Sequence, residues 1–256
     1  MARIDLNADL GESYGVWKLG ADRELMPALT SANVACGWHG GDPRVMDATV
    51  ALAKEAGVAI GAHPSFPDRD GFGRRVMDLS AHEAATDTLY QIGALAGFCR
   101  RHGVTLQHVK PHGALYNHAN RAPEVARGIA EGVAAFDPNL LLVALPASGL
   151  ERAGHEAGLH VAREGFCDRA YEPDGSLVDR RNPGAVLEDP AAAAEQALRM
   201  VEQGRVRCLD GTVIEVQVDT LCCHGDNPRA VAFATEVRRR LEAAGVEVSA
   251  MGGWLR

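Results

Sequence analysis

Four histidines in the sequence follow short apolar runs that are typical of β-strands. The four are His39, His63, His112 and His224. Imidazole is suited to proton transfer near neutral pH and to metal ligation, so each could take part in chemistry. An isolated histidine is usually structural, but a parallel barrel brings strand ends from distant parts of the chain to one face. The pattern therefore predicts one shared site.

Carboxylate and amide side chains alternate near the start of the chain. Asp5, Asn7 and Asp9 would share one face of an extended segment, where they could meet a substrate or a cation. Asp and Asn also cap helices and form turns, so the spacing alone leaves both interpretations open.

A positive charge accompanies the third histidine. Lys110 precedes His112 by two residues, so an extended backbone would aim both side chains inward together. An inward lysine could neutralise phosphate or a developing oxyanion, whereas a surface lysine would only be solvated. Residues 70–75 combine glycines and arginines without a full phosphate-binding motif. Residues 169–183 are charged enough to form either a lid or a solvated loop.

A divalent metal site is chemically possible, because His with Asp or Glu is a common ligand set. The sequence has no H-E-x-x-H motif, however, and its six cysteines are scattered without a C-x-x-C. We therefore predict reduced thiols and assign no residue as a metal ligand, and the sequence leaves open whether a metal is bound.

Capping residues mark the helices that must position these groups. Asp, Ser or Asn stands at the predicted N-caps, proline often follows, and glycine comes after the last turn. The helices marked in this way cover residues 42–57, 80–103, 189–204 and 227–245, and weaker helical patterns cover residues 123–136 and 150–157. Short apolar runs predict strands at residues 3–7, 31–36, 58–62, 106–110, 140–145, 160–163 and 220–224.

The alternation of strands and helices predicts an α/β fold. About seven βα units in a chain of 256 residues favour one irregular TIM-like (β/α) barrel over residues 1–256, with a doubly wound open sheet as the alternative. Residues 205–218 do not follow this alternation, and their pattern predicts a hairpin inserted near the end of the barrel.

Composition limits the classes of function. The chain is 46% hydrophobic and carries 26 Lys and Arg against 34 Asp and Glu, a formal net charge of -8. This balance argues against nucleic acid as a partner. The longest apolar run, residues 140–146, is far shorter than a membrane helix, and the N-terminal residues lack a signal-peptide pattern. We therefore expect no membrane partner and a cytoplasmic protein.

Five motifs taken together closely resemble the LamB/YcsF family. They are D-L-N-A-D-L-G-E, S-A-N-V-A-C-G-W-H-G-G-D-P, G-A-H-P-S-F-P-D, V-K-P-H-G-A-L-Y-N and C-H-G-D-N-P, in this order between residues 4 and 228. The resemblance implies an irregular (β/α) barrel similar to the glycoside hydrolase/deacetylase superfamily. It also implies the A subunit of a bacterial 5-oxoprolinase, which opens 5-oxo-L-proline to L-glutamate together with separate subunits B and C.

This activity implies ATP as co-substrate together with Mg²⁺, and it leaves open whether the chain forms a homo-oligomer. As hypotheses, Asp9 or His63 acts as general base, His112 as general acid, and Lys110 stabilises negative charge. The expected substrate-binding or orienting residues are Asp5, Asn7, Glu12, His39, His224 and Asp226.

Two alternatives remain open at the level of sequence. The first is a metal-dependent deacetylase or amidohydrolase that uses no ATP and takes Asp5, His39 and His63 as ligands. The second is a non-catalytic scaffold in a complex whose other subunits do the chemistry.

Overall fold

The computed structural model describes residues 2–223 and 229–255. Its strands are β1 (Arg3–Leu10), β2 (Ser31–Ala35), β3 (Ala59–His63), β4 (Leu106–Val109), β5 (Leu141–Ala144), β6 (Val161–Phe166), β7 (Arg205–Arg207), β8 (Val213–Glu215), β9 (Thr220–Cys222) and β10 (Glu247–Val248). Its α-helices are α1 (Asp22–Leu25), α2 (Pro43–Ala56), α3 (Ala81–His102), α4 (Gly113–Ala119), α5 (Pro123–Phe136), α6 (Gly149–Glu156), α7 (Pro190–Gln203) and α8 (Ala230–Ala243). Short 3₁₀ turns lie at Met26–Ala28 and Met251–Gly253.

Seven parallel strands close into a barrel, as the sequence predicts. The order is β1-β2-β3-β4-β5-β6-β9, and β9 pairs back onto β1, with Asp5 opposite Thr220. β10 pairs with the amino end of β1, at Arg3 and Ile4. β7 and β8 pair antiparallel as a separate two-stranded sheet within the segment predicted to form a hairpin. Because parallel strands share one direction, all seven present their carboxyl ends at one face of the barrel.

The predicted helix signals are confirmed by cap geometry. The Asp42 carboxylate accepts hydrogen bonds from the Arg44 and Val45 amides at the start of α2. Ser80 and Glu83 form a reciprocal capping box at the start of α3. α2, α3 and α7 each end at a glycine in the left-handed region, where a residue without a Cβ is unstrained. The predicted start of the last helix at residues 227–228 lies outside the described residues.

Glycines on α5 let two helices pack closely. Gly128 and Gly132 are buried against α3, where an added Cβ would overlap the carbonyl oxygens of Ala81 and Ala85. Gly93 and Gly97 on α3 have open space instead. Therefore only Gly128 and Gly132 fix the distance between α3 and α5.

The two faces of the barrel strands differ in chemistry. On β1 the apolar residues Ile4, Leu6, Ala8 and Leu10 belong to the main hydrophobic core. The alternating polar residues join a buried hydrogen-bond network that spans several strands. Gly61 on β3 makes room for the ring of His108 from the neighbouring strand. Among the described residues, no helix combines the length and apolar composition that a membrane span requires.

Candidate active site

A cavity of about 750 Å³ opens at the carboxyl ends of the strands. Among the predicted site residues, those that line it are Asp9, Glu12, His63, Lys110 and His112. Arginines from surrounding loops also line it, namely Arg74, Arg121, Arg169, Arg180 and Arg181. The cavity thus joins a carboxylate–histidine cluster to a basic wall.

His63 is the last residue of β3, and its orientation is fixed by the backbone. Its Nδ1–H donates to the Lys110 carbonyl oxygen at 2.6 Å. The other ring nitrogen, Nε2, lies 3.3 Å from Asp9 Oδ1 and 3.0 Å from His112 Nδ1. Because a carbonyl only accepts hydrogen bonds, Nδ1 carries the proton and Nε2 presents its lone pair when the ring is neutral.

His112 caps the start of α4 and is held in the opposite tautomer. Its Nε2–H donates to the Phe72 carbonyl oxygen at 2.9 Å, which leaves Nδ1 facing His63 and Glu12. Burial and the nearby His63 lower the pKa of His112 to about 3, so the ring is neutral at physiological pH. Phe72 adopts a φ of 55°, an uncommon conformation for a non-glycine residue, and this backbone aims its carbonyl at the ring.

His39 lies behind the cluster and orients one of its carboxylates. Its ring stacks on His112 with centroids 3.7 Å apart and an angle of 3° between planes. Its Nε2 lies 3.2 Å from Glu12 Oε1, while its Nδ1 is buried with no hydrogen-bond partner among the described residues. Burial lowers the pKa of His39 well below its usual range, so this ring is neutral and donates from Nε2.

Lys110 follows β4, and carboxylates hold its ammonium inside the barrel. Nζ lies 2.8 Å from Glu164 Oε1 and 3.1 Å from Asp9 Oδ1, and it donates to Asn7 Oδ1 at 3.2 Å. Burial alone would lower the pKa of Lys110, but the surrounding acidic groups, Asp9 above all, outweigh it and raise the pKa well above normal. The lysine is therefore charged, and its positive charge stabilises the Asp9 carboxylate.

Directional hydrogen bonds that join β4, β2 and β1 position Asp9. Gln107 donates to His108 Nδ1, and His108 Nε2–H in turn donates to Asn33 Oδ1 at 2.7 Å. Asn33 Nδ2 donates to Asp9 Oδ1 at 2.9 Å. Burial lowers the pKa of His108 to about 3, so this ring stays neutral and keeps the donor order fixed.

Asp5 and Asn7 lie below the cavity instead of lining it. The Asp5 carboxylate is fully buried and accepts from the hydroxyls of Thr30, Ser31 and Thr220. Four residues of strand separate Asp5 from Asp9, a rise of about 13 Å. Of the two roles expected for Asp5, this depth favours orienting other groups over contacting substrate. Asp5 is also too deep to share a metal ion with His63, as the deacetylase alternative requires.

Asn7 belongs to the same inner network, since its amide donates to Thr220 and Glu164. The contact with Lys110 favours the orienting role expected for Asn7 over contact with substrate. The predicted residues His224 and Asp226 lie outside the described residues.

Two buried groups of the site are not among the residues predicted from the sequence. Glu164 lies one residue beyond the predicted end of its strand at Arg163, and His108 lies inside a segment interpreted only as an apolar strand. Polar residues within these short runs are the available signal, because burying a charge or an imidazole requires a partner.

Three arginines of the basic wall, Arg169, Arg180 and Arg181, come from the segment for which the sequence allows either a lid or a loop. Arg169 is buried and donates to the carbonyl oxygens of Val178 and Ala185, which ties the segment together. Burial lowers the pKa of Arg169 to about 10, so it remains charged at neutral pH. Arg180 and Arg181 extend the wall toward solvent. The wall is suited to hold carboxylate or phosphoryl oxygens above the histidines.

Comparisons with known proteins match this chain along its whole length. The model of the LamB/YcsF family matches residues 4–256. A protein of Methylococcus capsulatus, named as the A subunit of 5-oxoprolinase, is 59% identical over 100% of this chain and 98% of its own. A protein of the same name from Pyrococcus furiosus is 53% identical over 99% of this chain and 100% of its own. A crystal structure of a lactam utilization protein from Thermus thermophilus superposes with a TM-score of 0.93 at 54% identity, covering 97% of this chain and 99% of that one.

Proposed function

The chain belongs to the LamB/YcsF family, and we propose on that premise that it is the A subunit of an ATP-dependent 5-oxoprolinase. Such an enzyme opens the lactam ring of 5-oxo-L-proline to give L-glutamate. The observation that carries the proposal is the identity of 53–59% to two relatives of that name over nearly the full length of both chains. A cavity that combines acid–base groups with a basic wall supports it.

The chemistry explains the need for ATP. A lactam is a resonance-stabilised amide, and water attacks it slowly. Phosphorylation of the carbonyl oxygen makes the ring carbon electrophilic, and addition of one water followed by C–N cleavage gives an open acyl phosphate. The ring nitrogen takes a proton as it leaves. A second water then releases phosphate, so one ATP and two waters yield glutamate, ADP and phosphate.

Asp9 and His63 are placed to accept the proton of the attacking water. Asp9 lines the cavity beside the Lys110 ammonium, and its Oδ1 lies 3.3 Å from His63 Nε2. His112 is neutral at rest and has no ring proton to give from Nδ1. It becomes an acid only after His63 passes a proton across the 3.0 Å between the rings. The assignment of His112 as acid is thereby restricted to the second half of the reaction.

The basic wall gives the substrate its orientation. The carboxylate of 5-oxoproline and the phosphoryl group of the activated lactam are both anionic, and Arg169, Arg180 and Arg181 line the cavity. Planar guanidinium groups bind such oxygens in pairs. We assign ATP and Mg²⁺ to the assembled enzyme, with subunits B and C as partners of this chain.

The test is a reconstitution in which each subunit is omitted in turn. We expect 5-oxoproline-dependent ATP hydrolysis and glutamate release only with this chain present together with subunits B and C. Unchanged glutamate release without this chain would contradict a catalytic role and favour the scaffold alternative. ATP-independent release of acetate from an acetylated sugar or amide would instead favour the deacetylase alternative.

A further inference from the structure

Three candidate ligand atoms, His63 Nε2, His112 Nδ1 and Glu12 Oε1, converge at the base of the cavity. Backbone carbonyls accept the N–H groups of His63 and His112, so with both rings neutral His63 Nε2 and His112 Nδ1 face each other at 3.0 Å with lone pairs. Glu12 Oε1 lies 3.6 Å from the same His112 Nδ1. Lone pairs at these distances repel one another unless a cation lies between them.

The distances fit a metal ion. Donor atoms about 2.1 Å from a tetrahedral centre lie roughly 3.4 Å from one another. The observed 3.0 Å and 3.6 Å bracket that value, and all candidate ligand atoms of Glu12, His39, His63 and His112 lie within 4.8 Å of each other.

Ring orientation decides which histidines can share the ion. An imidazole binds a metal along its lone pair, close to the ring plane. The rings of His63 and His112 are nearly perpendicular, at 88°, so one point can lie in both planes. The rings of His39 and His112 are parallel at 3°, and no point lies in both planes. His39 therefore acts as the donor that orients Glu12.

We propose that Glu12, His63 and His112 form a binding site for one divalent transition-metal ion of the Zn²⁺ class, with a further position open to the cavity. Every ligand has a supporting partner of the kind that metal sites use. Lys110 and Phe72 carbonyls fix the two imidazoles, and His39 fixes the carboxylate.

The open position would face Asp9. Asp9 lines the cavity and lies 3.3 Å from His63 Nε2, so its carboxylate can accept a proton from a water bound at that position. Three protein ligands and one exchangeable water are the arrangement of catalytic zinc sites. With the ion bound, His63 Nε2 and His112 Nδ1 are ligands and carry no proton, so Asp9 alone acts as base and proton transfer between the two rings belongs to the metal-free protein. Metal binding is measured without substrate, so this inference does not rest on the proposed function.

The experiment is metal binding by the chelator-treated full-length chain. After dialysis against Zn²⁺, we expect one ion per chain by elemental analysis and a rise in Tm that grows with Zn²⁺ concentration. Dialysis against Co²⁺ should give visible absorption bands, which report coordination directly. Less than one tightly bound ion per chain would overturn the proposal and leave a shared proton as the bridging cation.

Variants assign the ligands. Glu12→Gln and His112→Gln should each weaken Zn²⁺ binding at least about 100-fold, and His39→Gln about 10-fold to 100-fold with the stoichiometry of one retained. His155→Gln, which changes an exposed histidine, is the matched control. Circular dichroism and Tm without metal show that each variant folds. Binding that survives both Glu12→Gln and His112→Gln in folded protein would place the ion elsewhere and contradict the proposal.

Discussion

The buried pair of Lys110 and Glu164 shows how a residue on the cavity depends on one beneath it. The Glu164 side chain is 0% exposed, and its Oε1 lies 2.8 Å from Lys110 Nζ. A buried pair contributes little net stability compared with apolar residues, but removing one partner leaves an uncompensated charge. Lys110 therefore has a structural role besides any role in the reaction.

We predict that Lys110→Met lowers the free energy of unfolding by about 3–5 kcal/mol, because Glu164 loses its counter-charge. The double variant Lys110→Met/Glu164→Gln should recover part of this loss. Urea denaturation of both variants measures the effect, with Lys18→Met as the exposed control. A double variant no more stable than the single one would show that the two charges are not coupled.

We predict that Asp9→Asn and His112→Ala each lower 5-oxoproline turnover in the assembled system at least about 100-fold, as expected for groups that move protons. Asp78→Asn changes an exposed carboxylate and should leave turnover unchanged. The assay is glutamate release with saturating ATP. Near-normal turnover in folded Asp9→Asn would remove Asp9 from the proton path.

At the scale of elements, packing between α3 and α5 separates two kinds of glycine. Gly128 and Gly132 touch the backbone of α3, whereas Gly97 faces open space. Alanine favours a helix over glycine by about 1 kcal/mol in either place. Only the contact with the neighbouring helix distinguishes the two positions.

We predict that Gly128→Ala destabilises the protein by about 1–3 kcal/mol, since the added methyl group forces the helices apart. Gly97→Ala should stabilise it by about 0.5–1 kcal/mol. Thermal unfolding of the two variants provides the comparison. Equal changes in stability of the same sign for the two variants would show that α5 can move away from α3 without destabilising the protein.

Local signals predict most elements, because caps and proline act over a few residues. Asp42, Ser80 and Asp189 mark helices that the structure confirms. α4 has seven residues, too few for a periodic pattern, and the sequence gives no signal for it. The predicted end of β6 is too early because the charged residues Arg163 and Glu164 interrupt the apolar run.

The candidate site is partly predictable for the same reason. Because His39, His63 and His112 follow equivalent strand ends, the sequence predicts that they share one site. In the structure the centroids of their rings lie within 5.4 Å of one another. Alternation puts Asp5 on the same face as Asp9 but gives no information on depth along the strand. Depth depends on the barrel register, which is set by pairing between residues more than 200 positions apart.

At the scale of the whole molecule, the polar interior links stability to pH. His108 is buried and neutral, with its pKa lowered to about 3 by burial. In the unfolded chain a histidine titrates near 6.5. Between these two values the unfolded chain binds a proton that the folded protein does not, so acid favours unfolding.

We predict that the free energy of unfolding falls as pH decreases from about 6.5 to about 3, with His108 contributing up to about 1.4 kcal/mol per pH unit. His108→Gln keeps a donor and an acceptor and should make the slope shallower, while His160→Gln changes an exposed residue and should not. Urea denaturation at a series of pH values gives the slopes. Identical slopes for the parent and His108→Gln would exclude His108 as a source of acid sensitivity.

The closure of the barrel by β9 has a consequence for synthesis on the ribosome. β1 emerges among the first residues, but its partner β9 begins at Thr220, and the buried Met251 that contacts Asp5 comes later still. At roughly 5–20 residues per second, about 10–40 s separate the two strands. During that interval one edge of β1 has no partner and its apolar face lacks its final cover. The nascent chain therefore completes its barrel only after β9 and the segment around Met251 have been synthesised. A stalled or shortened message yields an open sheet with an exposed edge.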